Sequence, residues 1–251
     1  MAIIEKHKNG IMYYQFDRFV DINDINHLFT SKVGWDNDSF KASISDIFQI
    51  PEENIISLKQ IHSTNIEIID KRLENYCEIS KLEADGLITD LTGIVLTTYH
   101  ADCVPIYFYD MKNRVVGIAH GGWRGTFNNI SGKMIDMMTT RYNSNNKDIL
   151  VGIGPSIGPC CYEIGQELAN EFSEKYNKFP RILIKRDGKV FLDLWRLNYY
   201  QVEEKGVHCG NIILSNTCTS CQVENFHSYR RDKGTKSRMI AAIGLTVNPK
   251  D

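Results

Sequence analysis

The sequence predicts an α+β protein: a single domain over residues 1–251, with a mixed β-sheet core and helices packed outside. Three observations point there. Short runs rich in Val and Ile alternate with segments of helical periodicity. The 251 residues, 42% of them hydrophobic, suffice to bury a sizeable core. No repeat, low-complexity tract or Pro/Ser-rich linker divides the chain, so the strands and helices are expected to pack as layers around one core.

From the N-terminus, residues 11–16 alternate loosely and read as a first strand, with 27–30 as a second. Asn37-Asp38-Ser39 offers capping side chains for a short helix towards Phe48, ended before Pro51. Residues 55–60 read as a strand delivering Ile61-His62-Ser63, and 66–69 alternate as a nearby partner. A loop over 76–82 leads through Ala84-Asp85-Gly86 into a short extended piece ending at Thr89. The β-branched run 94–99 ends at His100-Ala101-Asp102-Cys103, and a turn at Asn113 joins strands over 106–109 and 114–120. Gly121 and Gly122 then let the backbone turn sharply, and Thr126 is expected to cap a helix over 127–140. A strand over 149–153, a helix over 166–176 and a hairpin around Asp187-Gly188 follow. An amphipathic helix over 194–204 and strands at 212–214 and 239–245 complete the pattern.

Composition narrows the partners. A net charge of -2 gives no basic field for nucleic acid. No segment approaches the roughly 20 apolar residues of a membrane span. The first ten residues mix two isoleucines with Glu5, Lys6, His7 and Lys8, unlike a secretory signal, so a cytoplasmic location is expected. Seven cysteines, an odd count, favour reduced, metal-bound or reactive thiols over a disulfide framework.

His62, Cys103 and His120 each follow an apolar strand. Two histidines and one cysteine match a catalytic zinc with one position left for water, whose pKa the metal lowers towards neutrality. Copper accepts the same donors when a weak axial methionine is added. A metal-free alternative makes Cys103 a nucleophile and His120 its base. Arg124 beside a helix start favours an anion such as phosphate. Cys218-Thr219-Ser220-Cys221 is a CxxC, either redox-active or half of a structural zinc site with His208 and Cys209. Cys160 and Cys161 follow a Gly-Pro turn near a helix start, where a thiolate would be stabilised. Arg230 and Arg231, next to Tyr229, are suited to gripping phosphate or stacking on a base.

Several stretches together resemble a known family. Lys59-Gln60-Ile61-His62-Ser63, Ala84-Asp85-Gly86-Leu87-Ile88-Thr89, Ala101-Asp102-Cys103-Val104-Pro105 and Ala119-His120-Gly121-Gly122-Trp123-Arg124-Gly125 occur in order. Residues 154–163, Cys218-Thr219, Ser228-Tyr229-Arg230-Arg231-Asp232 and Arg238-Met239 follow. The chain is similar, over about residues 10–245, to the YfiH-like proteins, a purine nucleoside phosphorylase family once labelled polyphenol oxidase or laccase-domain. The resemblance implies a single α/β domain holding zinc on His62, Cys103 and His120. It also implies phosphorolysis of adenosine, inosine and S-methyl-5'-thioadenosine, with adenosine deamination as a second activity. On this reading Gln60, Ser63, Arg124, Cys160 and Arg230 bind substrate, the phosphate lies near Arg124 and the Thr126 helix start, and Asp102 or His100 handles protons. Departures from the family pattern are His100 in place of threonine, Gly121 in place of alanine and Ser237 in place of glycine; none removes a metal ligand. The rivals are an amide or peptide hydrolase using Cys103 and His120, a copper-dependent phenol oxidase, and a nucleoside-binding module without turnover. Monomer and homodimer both remain open.

Overall fold

Two six-stranded sheets face one another in the computed structural model, which describes residues 2–36, 39–70 and 79–246. The first has the order β1 (Ile3–Lys8), β2 (Ile11–Phe16), β3 (Ile25–Thr30), β15 (Met239–Leu245), β7 (Val95–His100), β4 (Ile55–Ser57). The second runs β14 (Ile212–Leu214), β10 (Ile149–Ile153), β8 (Val104–Asp110), β9 (Val115–Gly121), β6 (Gly86–Thr89), β5 (Ile66–Ile68). Each sheet is mixed: β4 joins β7 in parallel, as β14 joins β10 and β5 joins β6, while the other neighbours are antiparallel. A small third sheet pairs β11 (Glu163–Ile164), β13 (Lys189–Leu192) and β12 (Leu183–Arg186).

Alternation along the strands explains the layering, because successive side chains point to opposite faces. On β9, Val116 and Ile118 enter the core between the sheets beside Leu96, Ala241 and Ile243 of the first sheet. Val115 and Ala119 of the same strand face the other way, onto a helical layer. That layer contains α4 (Ile130–Tyr142) through Met134, Ile135 and Met138, α5 (Gln166–Lys175) through Phe172, and α6 (Leu194–Glu204) through Leu194, Leu197 and Val202. On β15, Ala241 and Ile243 point between the sheets, whereas Ile240 and Ala242 face α2 (Phe40–Phe48) through Ile44. Each fully buried Val, Leu, Ile, Met or Phe side chain among these contributes about 1.5–3 kcal/mol relative to exposure. The layers therefore run helix, sheet, sheet, helices. Among the described residues no helix is long and apolar enough to cross a membrane.

The expected mixed-sheet class stands, with the strands divided between two large sheets. Several details differ from the sequence reading. β1 was not expected; it pairs with β2 across Asn9-Gly10, whose φ values of 50° and 81° suit a two-residue hairpin turn. The strand expected over 55–60 stops at Ser57. The helix expected over 127–140 is two helices, α3 (Trp123–Phe127) and α4, broken at Asn129 with φ 62°. Asn129 caps α4 by accepting from Gly132 N, so Thr126 is not a cap. Its hydroxyl is buried inside α3, accepting from Asn198 Nδ2 at 3.1 Å, and it cannot seat a phosphate. Asn37, Asp38 and residues 76–78 lie outside the described residues, and α2 starts at Phe40. The short extended piece expected up to Thr89 is β6 (Gly86–Thr89), while α1 (Asp17–Val20), which was not expected, fills the turn after β2.

Candidate active site

Three chain reversals bring His62, Cys103 and His120 together. His120 ends β9 next to β8, whose approach carries Cys103, and the two strands pair as Val104↔Gly121 and Pro105↔His120. His62 sits on the loop between β4 and β5 with φ 59°, and Asp102, just before Cys103, has φ 81°. Left-handed conformations at non-glycine residues cost on the order of 1–3 kcal/mol and persist where surrounding contacts enforce them.

Asp85 enforces the first. Its carboxylate, only 1% exposed, accepts from the backbone N–H groups of Ile61, His62 and Ser63 and from the Ser63 hydroxyl at 2.6–3.2 Å. It also holds His120 Nδ1 at 2.8 Å, which leaves Nε2 of that ring for the cleft. Burial opposes ionisation of Asp85, yet the bonds from His120 and Ser63 hold its carboxyl below the usual range. Asp102 is held similarly: Thr219 Oγ1 donates to Oδ1 at 2.7 Å, while Ser228 Oγ and Arg230 N donate to Oδ2 at 2.9 and 2.7 Å.

The donor atoms of His62, Cys103 and His120 all lie within 4.8 Å of one another. Donors on a tetrahedral zinc stand about 3.3–3.8 Å apart, given Zn–N near 2.0–2.1 Å and Zn–S near 2.3 Å. Cys103 Sγ and His62 Nε2, at 4.0 Å, need only a small inward movement. Burial pushes the Cys103 thiol up, but the adjacent His120 and His62 imidazoles outweigh it and bring the pKa to about 6. Burial likewise opposes charge on His120, and Cys103 with Asp85 outweighs it, raising the pKa to about 9. The sulfur is thus ready to ligate as thiolate. Gly122 closes over the group; a Cβ there would stand 2.9 Å from His62 Cδ2 and 3.1 Å from Cys103 Sγ. Donor set and cradle fit a zinc-sized ion.

The triad lies at the floor of a cleft of ≈ 580 Å³, within the range of small-molecule sites. Its walls carry Tyr99, Trp123, Tyr162 and Tyr229 together with Arg124, Arg230 and Arg238. The Arg124 guanidinium rests 4.3 Å from the Trp123 ring centroid. Arg230 lies 5.0 Å over Tyr162 and donates to Glu163 O at 2.7 Å. Arg238 is tied to the carbonyls of Thr235 and Ser237.

The structure thus brings His62, Cys103, His120, Gln60, Asp102, Arg124 and Arg230 to one cavity. Gln60 lines it while holding the Tyr99 backbone by both its N–H and C=O. Three expected residues are not in the wall. Ser63 spends its hydroxyl on Asp85. His100 is buried beneath the floor, with Nε2 on Thr98 Oγ1 and Nδ1 on the Cys103 carbonyl. Burial, helped by His120, holds its pKa well below the usual value, and neither ring nitrogen is free for a metal or a substrate. Cys160 belongs to a separate cluster of sulfurs with Cys161, Cys218 and Cys221. The partners suggested for the CxxC are accordingly corrected from His208 and Cys209, which form a separate short turn after α6.

A family model described as "Multi-copper polyphenol oxidoreductase laccase" matches residues 38–246. The chain belongs to this YfiH-like laccase family. "Purine nucleoside phosphorylase YlmD" of Geobacillus stearothermophilus is 36% identical over 210 residues, covering 81% of this chain and 77% of that protein. "Adenosine deaminase RL5", from an unknown prokaryotic organism, is 32% identical over 186 residues, covering 71% of this chain and 70% of its own. The crystal structure of the Bacillus licheniformis hypothetical protein YfiH matches with TM-score 0.84 at 28% identity, covering 96% of this chain and 99% of that one.

In this YfiH-like chain, two site residues carry roles the sequence reading did not assign. Asp85 stood in a quoted motif without a task; its signal was an acidic residue opening an otherwise buried strand. Arg238, immediately before the last strand, adds a third guanidinium to the cleft.

Proposed function

We propose that this chain is a zinc-dependent purine nucleoside phosphorylase, converting nucleoside and phosphate to free base and ribose 1-phosphate. The observation that carries the reading is the placement of a two-histidine, one-cysteine donor set at the floor of a cleft walled by aromatic rings and three arginines. A YlmD relative bearing that name supports it.

Phosphorolysis joins a phosphate oxygen to the anomeric carbon as the bond to the purine nitrogen breaks. The base leaves with the electron pair and takes up a proton. The protein's task is to hold an anion against that carbon with the base fixed. Arg124, Arg230 and Arg238 supply forked donors for the phosphate, and the stacking of Arg124 and Arg230 on rings preorganises them. Trp123, Tyr162 and Tyr229 offer faces for a purine, and Leu58, Ile157 and Leu194 an apolar wall for a 5'-methylthio group. His62, Cys103 and His120 would hold the zinc, which when bound supplies a Lewis acid and eases deprotonation of water near neutral pH. Asp85 keeps His120 in the ligating tautomer. Asp102 and His100 act as positioning residues, because their acceptors and ring nitrogens are taken up by protein donors and acceptors.

Adenosine deamination is a second reaction of the same cleft on this reading, supported by the relative named for it. The buried Asp85–His120–Cys103 chain also suits a cysteine hydrolase, but leaves unexplained why Asp85 holds His62 in a left-handed turn beside the thiol. The family description names copper, so metal analysis belongs in the test.

Protein of measured zinc and copper content should convert adenosine and inosine to free base and ribose 1-phosphate only when phosphate is present, as followed by chromatography. Chelation should stop the reaction and zinc restore it. No turnover by zinc-loaded protein, or full activity after metal removal, would overturn the proposal. Arg124→Ala should impair phosphorolysis far more than deamination; equal losses would remove Arg124 from phosphate binding.

A further inference from the structure

Outside the cleft, the described residues contain a second cluster of metal-ligating side chains. Cys160 and Cys161 lie on the loop between β10 and β11, and Cys218 and Cys221 on the loop after β14. The parallel bridge Ser156↔Cys218 brings these loops together. The four sulfurs lie within 4.8 Å of one another, and Cys221 Sγ stands 3.5 Å from that of Cys160 and 3.4 Å from that of Cys161.

We propose that Cys160, Cys161, Cys218 and Cys221 hold a structural zinc ion as a tetrathiolate. Thiolates around a tetrahedral zinc stand about 3.8 Å apart, from Zn–S near 2.3 Å, which is the scale of the spacings here. Disulfide pairing would require a preferred partner at about 2.05 Å. Cys221 is instead equally placed between two candidates, and the cysteines are free. A polynuclear iron–sulfur cluster interposes iron and sulfide between its ligands and spreads the thiolates wider than this.

The surroundings match a metal-binding turn. Gly158 N–H donates to Cys218 Sγ at 3.2 Å. Such N–H···S bonds orient and stabilise sulfur ligands. Binding one Zn²⁺ releases the protons of four thiols and leaves a site of net charge about −2, from four thiolates around one divalent ion. Arg186 stands close enough to offset part of it, donating to Cys160 O at 3.0 Å, while Arg231, ion-paired with Asp232, ties down the carbonyls of Thr219 and Ser220 at 3.0 and 3.3 Å. All four coordination positions are filled by protein, as in structural rather than catalytic zinc sites. Its place gives the site a purpose. Thr219, inside the CxxC, donates to Asp102, and Ile157 N donates to Asp102 O. The ion would therefore fasten together the two loops that clamp the residue before Cys103.

The test is metal analysis of the full chain, purified without chelators. Wild type is expected to carry a second zinc per chain that Cys218→Ser/Cys221→Ser lacks. His62→Ala/His120→Ala should retain that zinc, with X-ray absorption showing sulfur-only ligation. Because the serine variant could fail to fold, the histidine variant decides the matter alone. No zinc in it, mixed nitrogen and sulfur ligation, a disulfide among these cysteines by mass mapping, or iron in place of zinc would each overturn the proposal. None of these readouts involves nucleoside turnover, so the result is independent of the activity proposed for the cleft.

Discussion

His62, Cys103 and His120 converge from three separate chain reversals on the floor of a cleft, whereas Cys160, Cys161, Cys218 and Cys221 meet between two neighbouring loops near the surface. The first set has three donors, a carboxylate behind one of them and open space in front. The second has four donors, none of which lines the cleft. A metal in the first keeps a position for a reactant; one in the second is saturated by protein. The difference teaches where the chemistry is to be sought, although both sets bring cysteine sulfur into a cluster of metal-sized spacing.

The largest expected effect separates the two directly. Cys103→Ala should abolish turnover and empty the cleft of metal while leaving any metal on the four cysteines in place, as read by metal analysis and chromatography. Loss of both metals together would break the comparison. Asp85→Asn keeps the shape but not the charge. Outer partners of ligating histidines are worth roughly 10–100-fold in metal affinity, and a drop of that order is expected from competition with a chelator. An unchanged affinity would remove Asp85 from the site's support.

Glycine at 122 gives a finer probe. Gly122 has an ordinary φ of -68°, so alanine is opposed only by crowding against His62 and Cys103. Gly122→Ala should cost about 1–3 kcal/mol of overpacking, expressed as weaker metal binding in the cleft by calorimetry. Gly121→Ala, whose Cβ meets Ile106 Cδ1 at 3.1 Å and Thr126 Oγ1 and Val104 O at 3.3 Å, crowds no ligand and should weaken metal binding much less. Equal effects would mean that the crowding is not specific to the ligands.

A last test, on stability and without effect on either metal site, concerns the scaffold away from both clusters. His27 is buried and accepts from Phe16 N at 2.7 Å, and desolvation pulls its pKa down to about 3. A depressed histidine keeps the folded state neutral, so the stability it underwrites is complete above about pH 6.5. That stability is lost as pH falls, because the unfolded chain binds the proton first. The loss is about 1.4 kcal/mol per pH unit between pH 6.5 and the folded value. Urea unfolding of wild type and His27→Gln should differ in slope over this window, and parallel curves would contradict a neutral His27.

How much was legible depended on how local the cause was. Asp187-Gly188 was read as a hairpin turn, and β12 and β13 pair across it. Asn9-Gly10 carries the same signal, with φ positive at both residues, but went unread because Ile3–Lys8 is a polar strand at a sheet edge. Thr126 looked like a cap from its neighbours alone. Only the packing of α6, through Asn198, shows why its hydroxyl is buried and why Asn129 takes that role. The ligand triad was legible because each residue closes an apolar run and carries distinctive chemistry. The support given by Asp85 was not, since it holds His62 through backbone N–H groups that any residue could supply and reaches the His120 ring only once β6 and β9 are paired. Nor could spacing join Cys160 to Cys221, which the Ser156↔Cys218 bridge brings together.

The strand latest in sequence, β15, lies between β3 and β7 and pairs with both. During synthesis, then, the N-terminal hairpin and the strand leading to Cys103 wait for a neighbour made after every other described strand. Long-range pairing of this kind slows folding. The nascent chain therefore carries two half-sheets with exposed edges until residues 239–245 emerge, and Arg238, which lines the cleft, takes its place only with them.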